Sequence, residues 1–178
     1  MTTHHLPISI TDILHGKSVE WERLEFKAGW NPESVLHTMC AFANDFHNLG
    51  GGYIVIGVKE SKGRPVLPPV GLDMDTVDTI QKELLNLGHS SIQPQYHPRT
   101  VPYEVDGKTI LIIWVPGGET RPYKAKLSLS EKKTNEWRYY IRKQSSTVVA
   151  KAADEHELIG LTATLPFDDR FNQQASTN

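Results

Sequence analysis

The run Tyr53-Ile54-Val55-Ile56-Gly57-Val58 constrains this chain more than any other stretch. It is continuous rather than alternating and rich in β-branched residues, which fits a strand at the centre of a sheet rather than one with a wet face. It follows a tight turn, His47-Asn48-Leu49-Gly50-Gly51-Gly52. Before that turn, Leu36, Met39, Cys40 and Ala43 recur at helical spacing and predict a helix from about 33 to 45.

The remaining segments fit around this strand. Residues 19–27 read as a first strand, broken by Gly29 and Asn31-Pro32. Residues 63–71, with three prolines, read as loop. Met74, Val77, Ile80, Leu84 and Leu87 predict an amphipathic helix over 73–87 that stops at Gly88. Residues 96–105 and 108–115 read as two strands about an Asp106-Gly107 turn, a strong hairpin signal. A polar loop over 116–136, a strand over 136–142 and a helix from Asp154 to about Thr164 complete the order β-α-β-α-β-β-β-α. The expected fold is a mixed α/β domain: one mixed β-sheet with flanking helices. Residues 1–17 form a leader or short helix that Thr11-Asp12 would cap. The domain proper covers 18–165, and 166–178 is a polar tail.

With 178 residues and 38% hydrophobic content, one globular domain with a real core is expected. There is neither an apolar run long enough for a membrane span nor a secretory signal. One cysteine, Cys40, cannot form an internal disulfide. It lies in an apolar stretch, so a buried structural thiol is the better reading, in a cytoplasmic setting. The net charge of −2 hides an uneven distribution. Residues 117–151 hold nine Lys or Arg against three acids, a local +6, between two acidic regions. Such a segment is a candidate surface for phosphates.

Four constellations could carry chemistry. Glu20, Glu25 and Glu60 could hold Mg²⁺ or Mn²⁺ and activate water for phosphodiester cleavage. Glu20 and Glu25 are five apart, so a regular strand would point them to opposite sides; on spacing alone, exposed strand acids are the better reading. Asn44 with Gly50, Gly51 and Gly52 could admit a phosphate to backbone N–H groups, against the plainer reading of a helix stop and a positive-φ turn. Gly107-Lys108-Thr109 resembles the end of a phosphate loop, but Pro102 stands where its first glycine is needed, and a strand follows instead of a helix. Finally, Trp137 to Thr147 alternates so that Arg138, Tyr140 and Arg142 share one face. Two guanidinium groups around a ring can clamp phosphates while the ring stacks on a base. Lys143, together with Arg121, Lys124, Lys126, Lys132 and Lys133 of the preceding loop, would extend this donor set. The scattered histidines show no metal-ligand spacing.

In this order the motifs resemble the Schlafen AlbA-type domain. They are Glu20-x4-Glu25-Phe26-Lys27, Ala41-Phe42-Ala43-Asn44, Gly51 to Val58, Tyr139-Tyr140-Ile141-Arg142, and Ser145-Ser146-Thr147 followed by Ala150. Two departures stand out: Asp45 to Leu49 lengthen the turn between the asparagine and the glycines, and Lys59-Glu60 replaces the aspartates common after Gly-Val. The resemblance implies a nucleic-acid-binding module, for DNA or RNA, of a transcriptional regulator. A metal-dependent ribonuclease using Glu20, Glu25 and Glu60, or an ATP-binding domain, are the alternatives it implies. Bacterial members commonly continue into further domains, so the tail is expected to open a linker to such a region. A homodimer through a sheet edge or the hairpin from Tyr103 to Val115 is a further expectation.

Overall fold

The computed structural model describes residues 6–15, 21–130 and 135–161. Glu20, Lys132, Lys133 and the tail from 166 therefore lie outside the described residues. The chain opens with a short helix α1 (Ile10–His15), whose Asp12 N–H donates to Ser9 Oγ at 3.1 Å, so Ser9 does the capping expected of Thr11-Asp12. A single 3₁₀ turn (Trp21–Arg23) leads into β1 (Leu24–Lys27). Then come α2 (Pro32–Asn44), β2 (Gly52–Ile56), a two-stranded ribbon β3 (Glu60–Ser61) and β4 (Arg64–Pro65), and α3 (Met74–Ser90). The second half holds β5 (Ile92–Gln93), β6 (Arg99–Val105), β7 (Lys108–Val115), β8 (Lys124–Lys126), β9 (Trp137–Lys143) and β10 (Ser146–Val149). Residues 152–161 form a last helix, α4.

The mixed α/β class holds, but the expected single sheet divides into two. One sheet has the order β1-β2-β7-β6 and the other β10-β9-β8-β5. β1 runs parallel to β2, while β7 and β6 are antiparallel and joined at Asp106-Gly107, where both residues have positive φ. All five residues of β2 are buried, as its composition requires. Its two faces feed two cores. Tyr53 and Val55 pack with Ile110, Ile112, Phe26 and the α1 residues Ile10, Ile13 and Leu14. Ile54 and Ile56 pack with Leu111, Ile113, α2 and α3. The described part of the N-terminal leader, residues 6–15, is thus part of the core, since α1 closes one face of the first sheet.

The division into two sheets follows from α2. Its apolar stripe was expected to face one partner, yet Val35, Leu36, Thr38, Met39, Cys40, Ala41, Phe42, Ala43 and Asn44 are all buried. A helix buried nearly all round needs a layer on each side. The first sheet supplies one, and Ala125 and Tyr140 of the second, with Tyr123 just before β8, supply the other. The loop expected over 116–136 therefore contains a strand, β8, which completes that second layer.

Gly88 does not end α3, which runs on to Ser90. A Cβ there would lie 2.2 Å from the Tyr96 carbonyl oxygen, so this glycine lets the following segment cross close to the helix. Asp73 caps the start of α3, accepting from Thr76 N–H at 2.7 Å, and hydrogen bonding to the Thr76 side chain, then to its N–H, holds the carboxyl below its ordinary value. No helix among the described residues is long and apolar enough to cross a membrane.

Candidate nucleic-acid interface

The basic segment folds into β8 and β9, paired as Lys124↔Tyr139, Ala125↔Arg138 and Lys126↔Trp137. Paired residues share a face. Ala125 and Tyr140 point inward against α2. Lys124, Lys126, Trp137 and Tyr139 therefore lie on the other, outer face, each half-buried. The Lys126 ammonium lies 5.9 Å from the Trp137 ring centre, and Gln93 of β5, paired with Lys124, extends the same face and is exposed. Leu158 of α4 covers this face at Ile141. Tyr139 packs against the same cluster, and beyond it Lys124, Lys126 and Trp137 remain on this face.

The opposite face, carrying Arg138, Tyr140 and Arg142, packs into the molecule. Tyr140 stacks on His37 with ring centres 4.1 Å apart, and His37 Nε2 lies 2.9 Å from the Lys126 carbonyl oxygen. Burial, then the neighbouring Cys40, push the Tyr140 hydroxyl up to about 12. Cys40 itself is fully buried and pushed up to about 12 by that burial. Arg142 is only 4% exposed. Its guanidinium donates to Glu25 Oε2 at 2.9 Å, to Thr147 Oγ1 at 3.1 Å and to the Leu24 and Glu22 carbonyls at 3.2 and 3.3 Å. Its carbon Cζ lies 4.9 Å from the Phe42 ring centre. Arg138, at the rim, pairs with Glu136 at 2.9 Å. The alternation gave the right two faces; which one α2 covers depends on the second sheet.

Arg121 sits at the C-terminal end of α2. It donates to the carbonyls of Asn44 and Asp45 at 3.2 and 3.1 Å and to Asn48 Oδ1 at 3.0 Å, a cation placed against the helix's negative end. Asn44 is fully buried and saturated: it donates to the carbonyls of Tyr123 and Tyr140 at 2.9 and 2.7 Å and accepts from Tyr123 N–H at 2.6 Å. At the glycine turn, the N–H groups of Leu49 and Gly50 already donate to the Asp45 carboxylate at 2.9 and 3.1 Å. A phosphate there would have to displace this internal anion. Gly51 and Gly52 serve packing, since a Cβ would meet the Val115 carbonyl oxygen at 2.0 Å and the Phe42 ring at 2.5 Å. Lys143 pairs with Asp154 of α4 at 3.1 Å.

Of the three glutamates, Glu20 lies outside the described residues. Glu25 and Glu60 line one cavity of about 370 Å³ between α1, β1 and the β3–β4 ribbon. Both Glu25 oxygens have cations close by, Arg142 at 2.9 Å and Lys27 at 3.5 Å. Glu25 also edges an open cleft that includes Ser34, His37, Thr38 and Ser145 to Thr147. Among the described residues no three His, Cys, Asp or Glu side chains come together as a metal site. No buried side-chain polar atom among them lacks a partner.

Residues 20–151 match the family described as Schlafen, AlbA_2. Among solved structures, the N-terminal domain of an ATP-dependent DNA helicase RecG-related protein from Nitrosomonas europaea is similar, with 29% identity and a TM-score of 0.54 over 82% of this chain and 94% of that one. A protein of Corynebacterium diphtheriae is 18% identical, with a TM-score of 0.47, over 78% of this chain and 27% of that one. No curated protein matches the chain.

Proposed function

This chain belongs to the Schlafen, AlbA_2 family, and on that premise we propose that it is a nucleic-acid-binding module of a regulator that holds a single strand on the outer face of β8 and β9. The observation that carries the proposal is the cross-strand pairing of Lys124 with Tyr139 and Lys126 with Trp137. Ammonium groups neutralise phosphates without regard to sequence, and aromatic rings on a sheet face stack on bases that a duplex keeps hidden. The likeness to a domain named as helicase-related supports the same direction. Arg142 and Arg121 act here through the fold: one fixes β9 against β1, the other fixes the loop before β8 against α2.

The test is fluorescence anisotropy of the whole chain with a labelled single-stranded DNA or RNA 12-mer and with the matching duplex, at increasing salt. Binding to the single strand that falls steeply with salt, with weaker duplex binding, supports the reading. Equal affinity for duplex and single strand would remove stacking from it.

A second reading, metal-dependent cleavage, is favoured by the shared cavity of Glu25 and Glu60. The described residues supply two carboxylates, and Glu25 is already held between Arg142 and Lys27. They do not by themselves make a divalent-ion site, so no cleavage step is derived. Adding Mn²⁺ to the same mixtures and resolving them on a denaturing gel separates the two readings.

A further inference from the structure

The cavity beside β1 combines two kinds of wall. Leu24, Phe26 and Leu67 give it apolar surface, while Glu25, Glu60 and Arg64 line it with charge. At about 370 Å³ it falls in the range of small-ligand sites. Its two carboxylates differ. Glu25 is neutralised by Arg142 and Lys27. Glu60 is exposed, on the two-residue strand β3, and no ion pair or hydrogen bond engages its carboxylate among the described residues.

These walls exclude one part of a nucleic acid and suit another. Among the described residues that line it, a phosphate would meet two carboxylates and one guanidinium, that of exposed Arg64. A flat ring gains from the apolar walls, and ring-borne N–H₂ groups find an acceptor in Glu60, as carboxylates do with the amine of cytosine. Ser145, which lines the cavity, lies in the turn that follows β9. The six steps of β9 from Trp137 to Lys143 span about 20 Å, so one short strand of nucleic acid can reach both places.

We infer that this cavity receives an unstacked nucleobase bearing an exocyclic amine, with Glu60 as the acceptor that selects it. The inference rests on the single-strand reading above but concerns a different place in the fold. It favours cytosine over uracil, which carries a carbonyl oxygen in place of that amine. A hydrogen bond to a charged acceptor corresponds to a preference of about tenfold or more.

The test uses nucleosides, which carry no phosphate and so do not depend on Lys124 or Lys126. Cytidine and uridine are titrated separately into the full chain, and the methyl resonances of Leu24 and Leu67 are followed by NMR. Cytidine shifting both methyls at about tenfold lower concentration than uridine, with Glu60→Gln abolishing that preference, is the expected result. Equal response to the two nucleosides, or no methyl shift with either, overturns the inference. Continued binding of the 12-mer in that case leaves the sheet-face reading standing; failure of the 12-mer with cytidine selection intact removes the sheet face and keeps the cavity.

Discussion

The guanidinium of Arg142, on β9, lies 2.9 Å from the carboxylate of Glu25, on β1, and so ties an edge strand of one sheet to the interior of the other. The same group takes up the Glu22 and Leu24 carbonyl oxygens on the β1 side. Arg142→Ala leaves Glu25 without its nearest buried partner, and breaking such a pair costs about 3–5 kcal/mol. Arg138→Ala, which removes a pair with exposed Glu136, costs about 0–1 kcal/mol. Urea denaturation of the two variants checks this; equal midpoints would show that Arg142 is not the tie between the sheets.

Asn44→Ala removes three hydrogen bonds at once and strands the Tyr123 N–H and the Tyr140 carbonyl in the core, while the Tyr123 carbonyl keeps the Cys40 thiol at 3.3 Å. With about 1–3 kcal/mol for each buried group left unpaired, the loss is about 2 kcal/mol or more. Since the Asn44 side chain holds the backbone at Tyr123 and Tyr140, near-UV circular dichroism of these tyrosines should change while α1 contacts persist. A variant as stable as the parent would contradict the accounting.

Much of this was legible in the sequence, because local rules determined it. The alternation and apolar runs gave β2, the β6–β7 hairpin, α2 and α3, and the Asp106-Gly107 turn needed only residues that tolerate positive φ. What the sequence could not give was the second layer. β8 is three residues inside a polar segment, and β5 is two; strands so short carry no period and exist because α2 offers an apolar side to cover. That missing layer reversed the reading of β9. With it in place, Tyr140 and Arg142 turn inward and Trp137 and Tyr139 outward. Asn44 likewise looked like a ligand group, since nothing local tells a polar residue satisfied from outside from one satisfied within.

Lys124→Ala and Lys126→Ala should each lower the slope of log affinity against log salt by about 0.7, the value for one phosphate contact on a single strand. Lys143→Ala should change it less, because Lys143 is already paired with Asp154. Anisotropy titrations at four salt concentrations measure all three. A slope unchanged in both β8 variants would place the phosphates elsewhere.

Asp154 accepts from the Lys151 N–H at 3.1 Å near the start of α4, and that bond, followed by Lys143, lowers its carboxyl below its ordinary value. A group depressed in the folded chain contributes stability above its unfolded value, and the contribution is lost as pH falls through the folded one. The docking of α4 should therefore be constant from pH 7 to about pH 5 and weaken below about pH 4. The Leu158 methyl resonance reports this, and Asp154→Asn should remove the acid step in that range. An identical step in the variant would assign it to another carboxylate.

The most direct test of the central claim is the affinity of Trp137→Ala for the single-stranded 12-mer at fixed salt. Trp137 stands beside Lys126 on the outer face, at 5.9 Å from ring centre to ammonium, and its removal leaves the charge in place. Loss of one stacked base weakens binding by about 1–3 kcal/mol, roughly five- to 150-fold, with the salt slope unchanged. Affinity equal to that of the parent chain would mean that the β8–β9 face is not where the strand lies.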